Sequence, residues 1–233
     1  MTAYSAVVFD FFGTLTCSVR RGPQHADIAR SLGCEPETMI RVLDRSFRAR
    51  ALGHFGSAEA TLRWVAEEAG GRTSPDGLRH ALDARIAALH HDTRLRPDAV
   101  STLYALKSRG LGTAVVSDCT HELPAFLPQL PVAPLLDVSV FSIETGRCKP
   151  DPLMYLAACR QLGVPPEQCL YVGDGGSREL TGATEVGMTA VRLTAPDLAD
   201  HLVFDADAAF TGLSVDSLTD VLDMVVGRLP ALV

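Results

Sequence analysis

Aromatic residues are sparse in this chain: 6% of its 233 residues, with a single tryptophan. No apolar run approaches the roughly 20 residues that a membrane-spanning helix needs. The N-terminus, Met1 to Ser5, leads straight into an apolar stretch with no basic region before it, so the expected compartment is the cytoplasm. No Cys-x-x-Cys pair occurs among the six cysteines, which excludes the common zinc and redox spacings and points to reduced packing thiols. A basic stripe is also missing, and the net charge is −7. Nucleic-acid and membrane partners are therefore not expected. No internal repeat or low-complexity segment appears.

What remains is an ordinary globular composition, 47% hydrophobic and 21% charged. The length suits one large domain or a core with a smaller companion. Residues 4–10 form an apolar run that ends in Asp10, and Gly13-Thr14 mark a tight turn after it. From about Pro23 to Leu95, apolar residues recur at helical spacing, as in Ile40, Leu43 and Phe47, then Leu62, Val65, Ala66 and Ala69. Gly70-Gly71 and Thr73 to Gly77 read as helix breaks.

Beyond Pro97, helix and strand alternate. Helices are expected over 98–109, 153–162 and 178–186, and strands over 113–117, 138–142, 169–173 and 189–193. Ala208–Leu213 is one more short apolar run, with a last helix expected from Val215. This alternation predicts an α/β fold, a Rossmann-like parallel sheet with helices on both faces. Reactive groups gather at the carboxyl ends of such strands. Asp10, Ser117 and Asp174 all fall there.

Four motifs carry the chemistry: Phe9-Asp10-Phe11-Phe12-Gly13-Thr14-Leu15, Ser117-Asp118, Lys149-Pro150-Asp151-Pro152, and Val172-Gly173-Asp174-Gly175-Gly176-Ser177-Arg178-Glu179-Leu180. In order and spacing they resemble the haloacid dehalogenase-like (HAD) hydrolase superfamily over nearly the whole chain. The resemblance implies a catalytic core of residues 1–16 and 96–233 and an α-helical cap domain of residues 17–95. It makes Asp10 the nucleophile. Catalysis is expected to rest on Asp10, Thr14, Ser117 and Lys149, with substrate held by Thr14, Ser117, Asp118 and Lys149. Metal ligands are expected from Asp10, the backbone carbonyl of Phe12, Asp174 and Glu179. The last would order metal-bound water or hold Lys149.

The residue types suit that chemistry. A carboxylate that attacks phosphorus is repelled by phosphoryl oxygens, so positive charge must offset both. Lys149 supplies one charge and Mg²⁺ two more. Charge counting points the same way, because Asp10, Asp118, Asp174 and Glu179 would crowd around one lysine.

Phe12 departs from the pattern. Phosphatases of the superfamily usually carry a second aspartate at this position as general acid and base. Its loss lowers the rate by roughly 10²–10⁴. Superfamily dehalogenases carry an aromatic residue there but lack the metal-binding acid kept here as Asp174. Phosphonate-cleaving members need a cap lysine, and none occurs before Lys107. Asp118, where asparagine is common, is weighed as a partial replacement for the missing acid and as a solvent-facing loop acid. His54 is weighed likewise as a proton source and as a plain loop histidine. Substrate choice is expected from Arg20, Arg21, Arg45, Arg48, Arg50 or His54, each also readable as a solvated surface group. His90-His91 lack a third ligand for zinc.

The favoured expectation is Mg²⁺-dependent hydrolysis of a small phosphorylated metabolite through an aspartyl-phosphate on Asp10. A 2-haloacid dehalogenase-type reaction, or a phosphate- or partner-binding protein without turnover, are the alternatives.

Overall fold

The computed structural model describes residues 4–201 and 205–225. Six parallel strands form its sheet, in the order β3-β2-β1-β4-β5-β6. They are β1 (Ala6–Phe9), β2 (Gly112–Ser117), β3 (Val138–Phe141), β4 (Cys169–Gly173), β5 (Thr189–Leu193) and β6 (Leu213–Val215). The strand order reverses direction at the β1/β4 pair, the place where parallel sheets open a crevice at their carboxyl ends.

The central strands β1, β2 and β4 are apolar on both sides because each face is covered. Val7, Phe9, Val115, Leu170, Val172 and Val191 pack into one cluster with Leu103 and Leu106 of α6 (Ala99–Ser108). Ala6, Val8, Ala114, Val116 and Tyr171 point the other way, toward Met154, Tyr155 and Ala158 of α9 (Pro152–Leu162) and toward Leu180 and Ala183 of α10 (Glu179–Glu185). The period of two along a strand sends neighbours to opposite faces, so a doubly covered strand reads as an unbroken apolar run. Shorter helices complete the core: α7 (Glu122–Phe126), α8 (Ser142–Thr145) and α11 (Val221–Met224).

Between β1 and α6 lie five helices: α1 (Gln24–Ser31), α2 (Pro36–Arg45), α3 (Phe47–Ala51), α4 (Ala58–Glu68) and α5 (Pro75–Asp92). They have their own apolar cluster, with Ile28, Leu32, Met39, Val42, Leu62, Val65 and Leu78 at its centre. Their starts are chemically marked. Glu35 accepts from the backbone N–H groups of Glu37 (3.0 Å) and Thr38 (2.6 Å), and Pro36 follows it. Ser57 and Ser74 cap α4 and α5 in the same way, at 3.2 and 3.1 Å. An antiparallel bridge between Thr16 and Leu95 closes the excursion where it leaves and rejoins the core.

Two expected features change. The Thr73–Gly77 break contains the first turn of α5, because Ser74 caps the helix and Pro75 sits where its missing N–H costs nothing. Near the end, Leu213–Val215 is a strand on the sheet edge, not the start of a helix. Asp220 accepts from the N–H groups of Asp216 (3.2 Å) and Ser217 (2.9 Å), which holds that stretch as a turn and delays the helix to Val221. The expected continuation past Val225 lies outside the described residues.

Candidate active site

A cavity of about 470 Å³ lies between the strand ends and the helical excursion. Asp10, Phe12, Asp118, Lys149, Asp174 and Glu179 line it together. Asp10 follows β1 directly, and its N–H donates to the Val172 carbonyl of β4 at 2.9 Å. The chain then turns sharply through Phe11–Leu15, with Gly13 at φ 84°. A Cβ on Gly13 would stand 2.8 Å from Asp174 Oδ2 and 2.7 Å from His201 Nε2, so the turn has room only for glycine.

Lys149 is the electrostatic centre. Its Nζ donates to Asp10 Oδ1 at 2.6 Å and also to Glu179 Oε2, with all three groups buried. Burial opposes its charge, but Asp10 and Glu179 outweigh burial and raise its pKa far above the ordinary lysine value. Glu179 has both oxygens engaged, since Tyr171 Oη donates to Oε2 at 2.8 Å and the Gly175 N–H to Oε1 at 3.0 Å. A Cβ on Gly173 would collide with this carboxylate. Asp174 Oδ1 accepts from the Gly176 N–H at 3.0 Å, inside a turn where Ser177 and Arg178 both hold positive φ.

Carboxylate oxygens of Asp10, Asp174 and Glu179 lie within 4.8 Å of one another. One lysine against three carboxylates leaves two negative charges unmatched if all ionise. Burial raises the Asp10 pKa, Lys149 pulls it down, and Asp174 raises it further. Three hard oxygen donors with this excess suit a divalent cation such as Mg²⁺.

Asp118 is buried and lines the cavity, in contrast to a loop acid facing solvent. Its Oδ1 accepts from the Lys149 backbone N–H at 2.9 Å, and burial pushes its pKa up. Thr14 and Ser117 are fully buried and do not line the cavity, and neither hydroxyl has a hydrogen-bond partner among the described residues.

Of the helical candidates, Arg20, Arg21 and Arg50 reach the cavity, whereas Arg45, Arg48 and His54 do not and are exposed. Four further groups went unremarked in the sequence. Arg85 of α5 donates to Glu122 Oε1 of α7 from Nε at 2.9 Å and from Nη2 at 2.7 Å. Burial would raise the Glu122 pKa, but Arg85 and Thr120 overcome it and hold the carboxyl at about 2. Arg96 braces the turn after the nucleophile by donating to the Gly13 (2.8 Å) and Thr14 (2.9 Å) carbonyls while pairing with Asp197. His25 pairs with Asp92 at 2.9 Å. His201 accepts from the Val19 N–H through Nδ1 at 3.3 Å and turns Nε2 toward Asp174 Oδ2 at 3.6 Å. No motif marks these residues. Only the reversal of the sheet after β1 and the return of the helices bring His25, Arg85 and His201 to the cavity and Arg96 behind the Gly13 turn.

Known proteins match this arrangement. A family model for haloacid dehalogenase-like hydrolase matches residues 4–187. An (S)-2-haloacid dehalogenase 1 from Pseudomonas sp. strain CBS-3 is 30% identical over 203 residues, spanning 83% of this chain and 86% of that one. A glyceraldehyde 3-phosphate phosphatase from Methanopyrus kandleri is 35% identical over 119 residues, and that match spans about half of each protein. Among solved structures, a 2-haloacid dehalogenase from Pseudomonas syringae superposes with a TM-score of 0.67 at 21% identity, over 95% of this chain and 98% of that one. A HAD phosphatase from Thermococcus onnurineus superposes at 0.63 and 20% identity, over 96% and 99%. Sequence family, fold and the residues at the strand ends agree: the chain belongs to the haloacid dehalogenase-like hydrolases.

Proposed function

We propose that this enzyme is a phosphohydrolase that needs Mg²⁺ and forms an aspartyl-phosphate on Asp10. The observation that carries this reading is the buried cluster of Asp10, Asp174 and Glu179, whose charge one lysine does not balance. A carbon-attacking site gains nothing from that surplus of negative charge, whereas a metal-assisted phosphoryl transfer uses it to hold the cation.

In this reading Asp10 attacks phosphorus, the leaving oxygen departs, and water then cleaves the acyl phosphate to regenerate the carboxylate. Lys149 offsets charge on the nucleophile and the phosphoryl oxygens, and Glu179 with Tyr171 holds its ammonium in place. The Thr14 and Ser117 hydroxyls lack hydrogen-bond partners among the described residues but sit behind the cavity wall, so Lys149 is the donor that faces the phosphoryl oxygens. Asp10, the Phe12 carbonyl and Asp174 would hold the Mg²⁺. When bound, the ion supplies positive charge opposite the transferring group. The helices within residues 17–95 act as the cap that excludes water and selects substrate. Phe12 cannot protonate a leaving alkoxide, so acyl and aryl phosphates are favoured over alkyl phosphates.

A second reading, dehalogenation of a 2-haloacid, is supported by the near full-length Pseudomonas relative and by Phe12 on the cavity wall. The deciding assay uses acetyl phosphate and p-nitrophenyl phosphate, with Mg²⁺ and with EDTA, on wild type, Asp10→Asn and Phe12→Asp. The phosphohydrolase reading expects turnover that EDTA removes, a loss of about 10⁴ or more in Asp10→Asn, and a gain in Phe12→Asp. Halide release from 2-chloropropionate that survives EDTA, with no phosphate released, would replace it with dehalogenation.

A further inference from the structure

Arg21, Arg50 and Arg85, which all line the helical side of the cavity, are not alike. Arg21 pairs with Asp44, and Arg85 is held by both of its bonds to Glu122. Arg50, on α3, is 5% exposed and has no carboxylate within ion-pair reach among the described residues. Its Nε donates to Ser46 Oγ at 3.1 Å and its Nη2 to the Leu43 carbonyl at 2.8 Å. Its Nη1 makes no hydrogen bond among the described residues. Burial, then repulsion from Arg85, lowers its pKa only to about 10 against attraction from Glu122 beyond ion-pair distance, so it remains a cation at neutral pH.

A buried guanidinium without a counter-ion is expensive, and its planar donor fork fits an oxyanion. Charge selects which one. Among the described residues Arg21 and Arg85 are already matched, so the charge on Arg50 suits a monoanionic carboxylate better than a dianionic second phosphate. Leu43, Phe47 and Leu89, which line the same cavity, provide apolar contact for a short carbon chain.

We propose that Arg50 is a specificity residue that binds a carboxylate of the substrate, making the substrate class a small phosphorylated carboxylic acid. This rests on the phosphohydrolase reading, with the phosphoryl group at Asp10 and Lys149 and the carboxylate at Arg50.

Calorimetry with phosphonates, which the enzyme cannot hydrolyse, separates the two ideas. The probes are phosphonoacetate, 3-phosphonopropionate and 4-phosphonobutyrate, each against the alkylphosphonate of matching length, with Mg²⁺ present. In wild type, at one chain length, the carboxylated member should bind about 10–100-fold more tightly. Arg50→Gln should reduce that preference to about twofold and leave the alkylphosphonate affinity unchanged. Arg50→Lys should retain part of the preference. Equal affinities at every length in wild type would overturn the proposal without reliance on any variant, and so would a preference that survives Arg50→Gln. Alkylphosphonates that bind while the preference is absent leave the phosphohydrolase reading standing. Failure of both probe types to bind wild type would end both.

Discussion

The two walls of the cavity are charged in opposite senses. On the strand side, Asp10, Asp174 and Glu179 surround one lysine, so negative charge is in excess once all three carboxyls ionise. On the helical side, Arg85 is matched by Glu122 and Arg21 by Asp44, but Arg50 is left over. Each wall therefore lacks what a ligand would bring: a cation on one side, an anion on the other. The walls also differ in construction. The strand-end groups come from chain turns attached directly to a doubly covered sheet. The helical-side groups are long side chains, Arg21 before α1, Arg50 on α3 and Arg85 on α5, and the Arg85–Glu122 ion pair joins that side to the core.

The largest expected effect lies on the strand side. Lys149→Met removes the cation that touches Asp10 among the described residues and should lower kcat by about 10²–10³ at saturating Mg²⁺. A fall of less than tenfold in acetyl phosphate hydrolysis would mean that the lysine does not neutralise the reacting charge.

On the helical side the strongest test is stability. Glu122→Gln leaves Arg85 buried and unpaired, which should cost about 3–5 kcal/mol in urea unfolding. Replacing both residues with methionine should recover most of that loss. A cost under about 1 kcal/mol would show that water reaches the pair and that the walls differ less than their burial suggests.

The same pair predicts a pH dependence. The Glu122 pKa falls from 4.5 to about 2 on folding, so its contribution is complete above 4.5 and is lost as pH drops toward 2. Linkage sets that contribution at up to about 3 kcal/mol. The difference in melting temperature between wild type and Glu122→Gln should accordingly narrow between about pH 5 and about pH 2. A constant difference across that range would assign the loss to packing.

The smallest effect is expected away from both walls. Arg45 and Glu68 form an ion pair with side chains 60% and 45% exposed, and Arg45→Ala should shift stability by no more than about 0.5 kcal/mol. A shift as large as that of Glu122→Gln would erase the distinction between buried and exposed pairing.

How much was legible beforehand depends on the wall. Asp10, Lys149 and Asp174 stood out because each sits beside an apolar run or a glycine-rich turn at a strand end, a local signal. Asp118 stood out as well, but its burial did not, since nothing near it in sequence shows that the Lys149 backbone N–H will reach it from 31 positions away. His54, in a polar glycine turn, drew attention and proved exposed. Arg85 and Glu122, separated by 37 positions, look like ordinary surface charges until α5 and α7 pack together.

The sequence by itself determined the alternation of strand and helix, the carboxyl-end placement of the acids, and the helical character of the excursion after Asp10. Those are local properties, set by side-chain periodicity and turn chemistry. Tertiary structure decided which charges meet. It placed Arg96 behind the Gly13 turn, His201 against Asp174, Glu122 on Arg85, and Arg50 on the cavity wall with no ion-pair partner among the described residues. Electrostatic pairing depends on distance and desolvation in three dimensions, and a residue's place along the chain specifies neither.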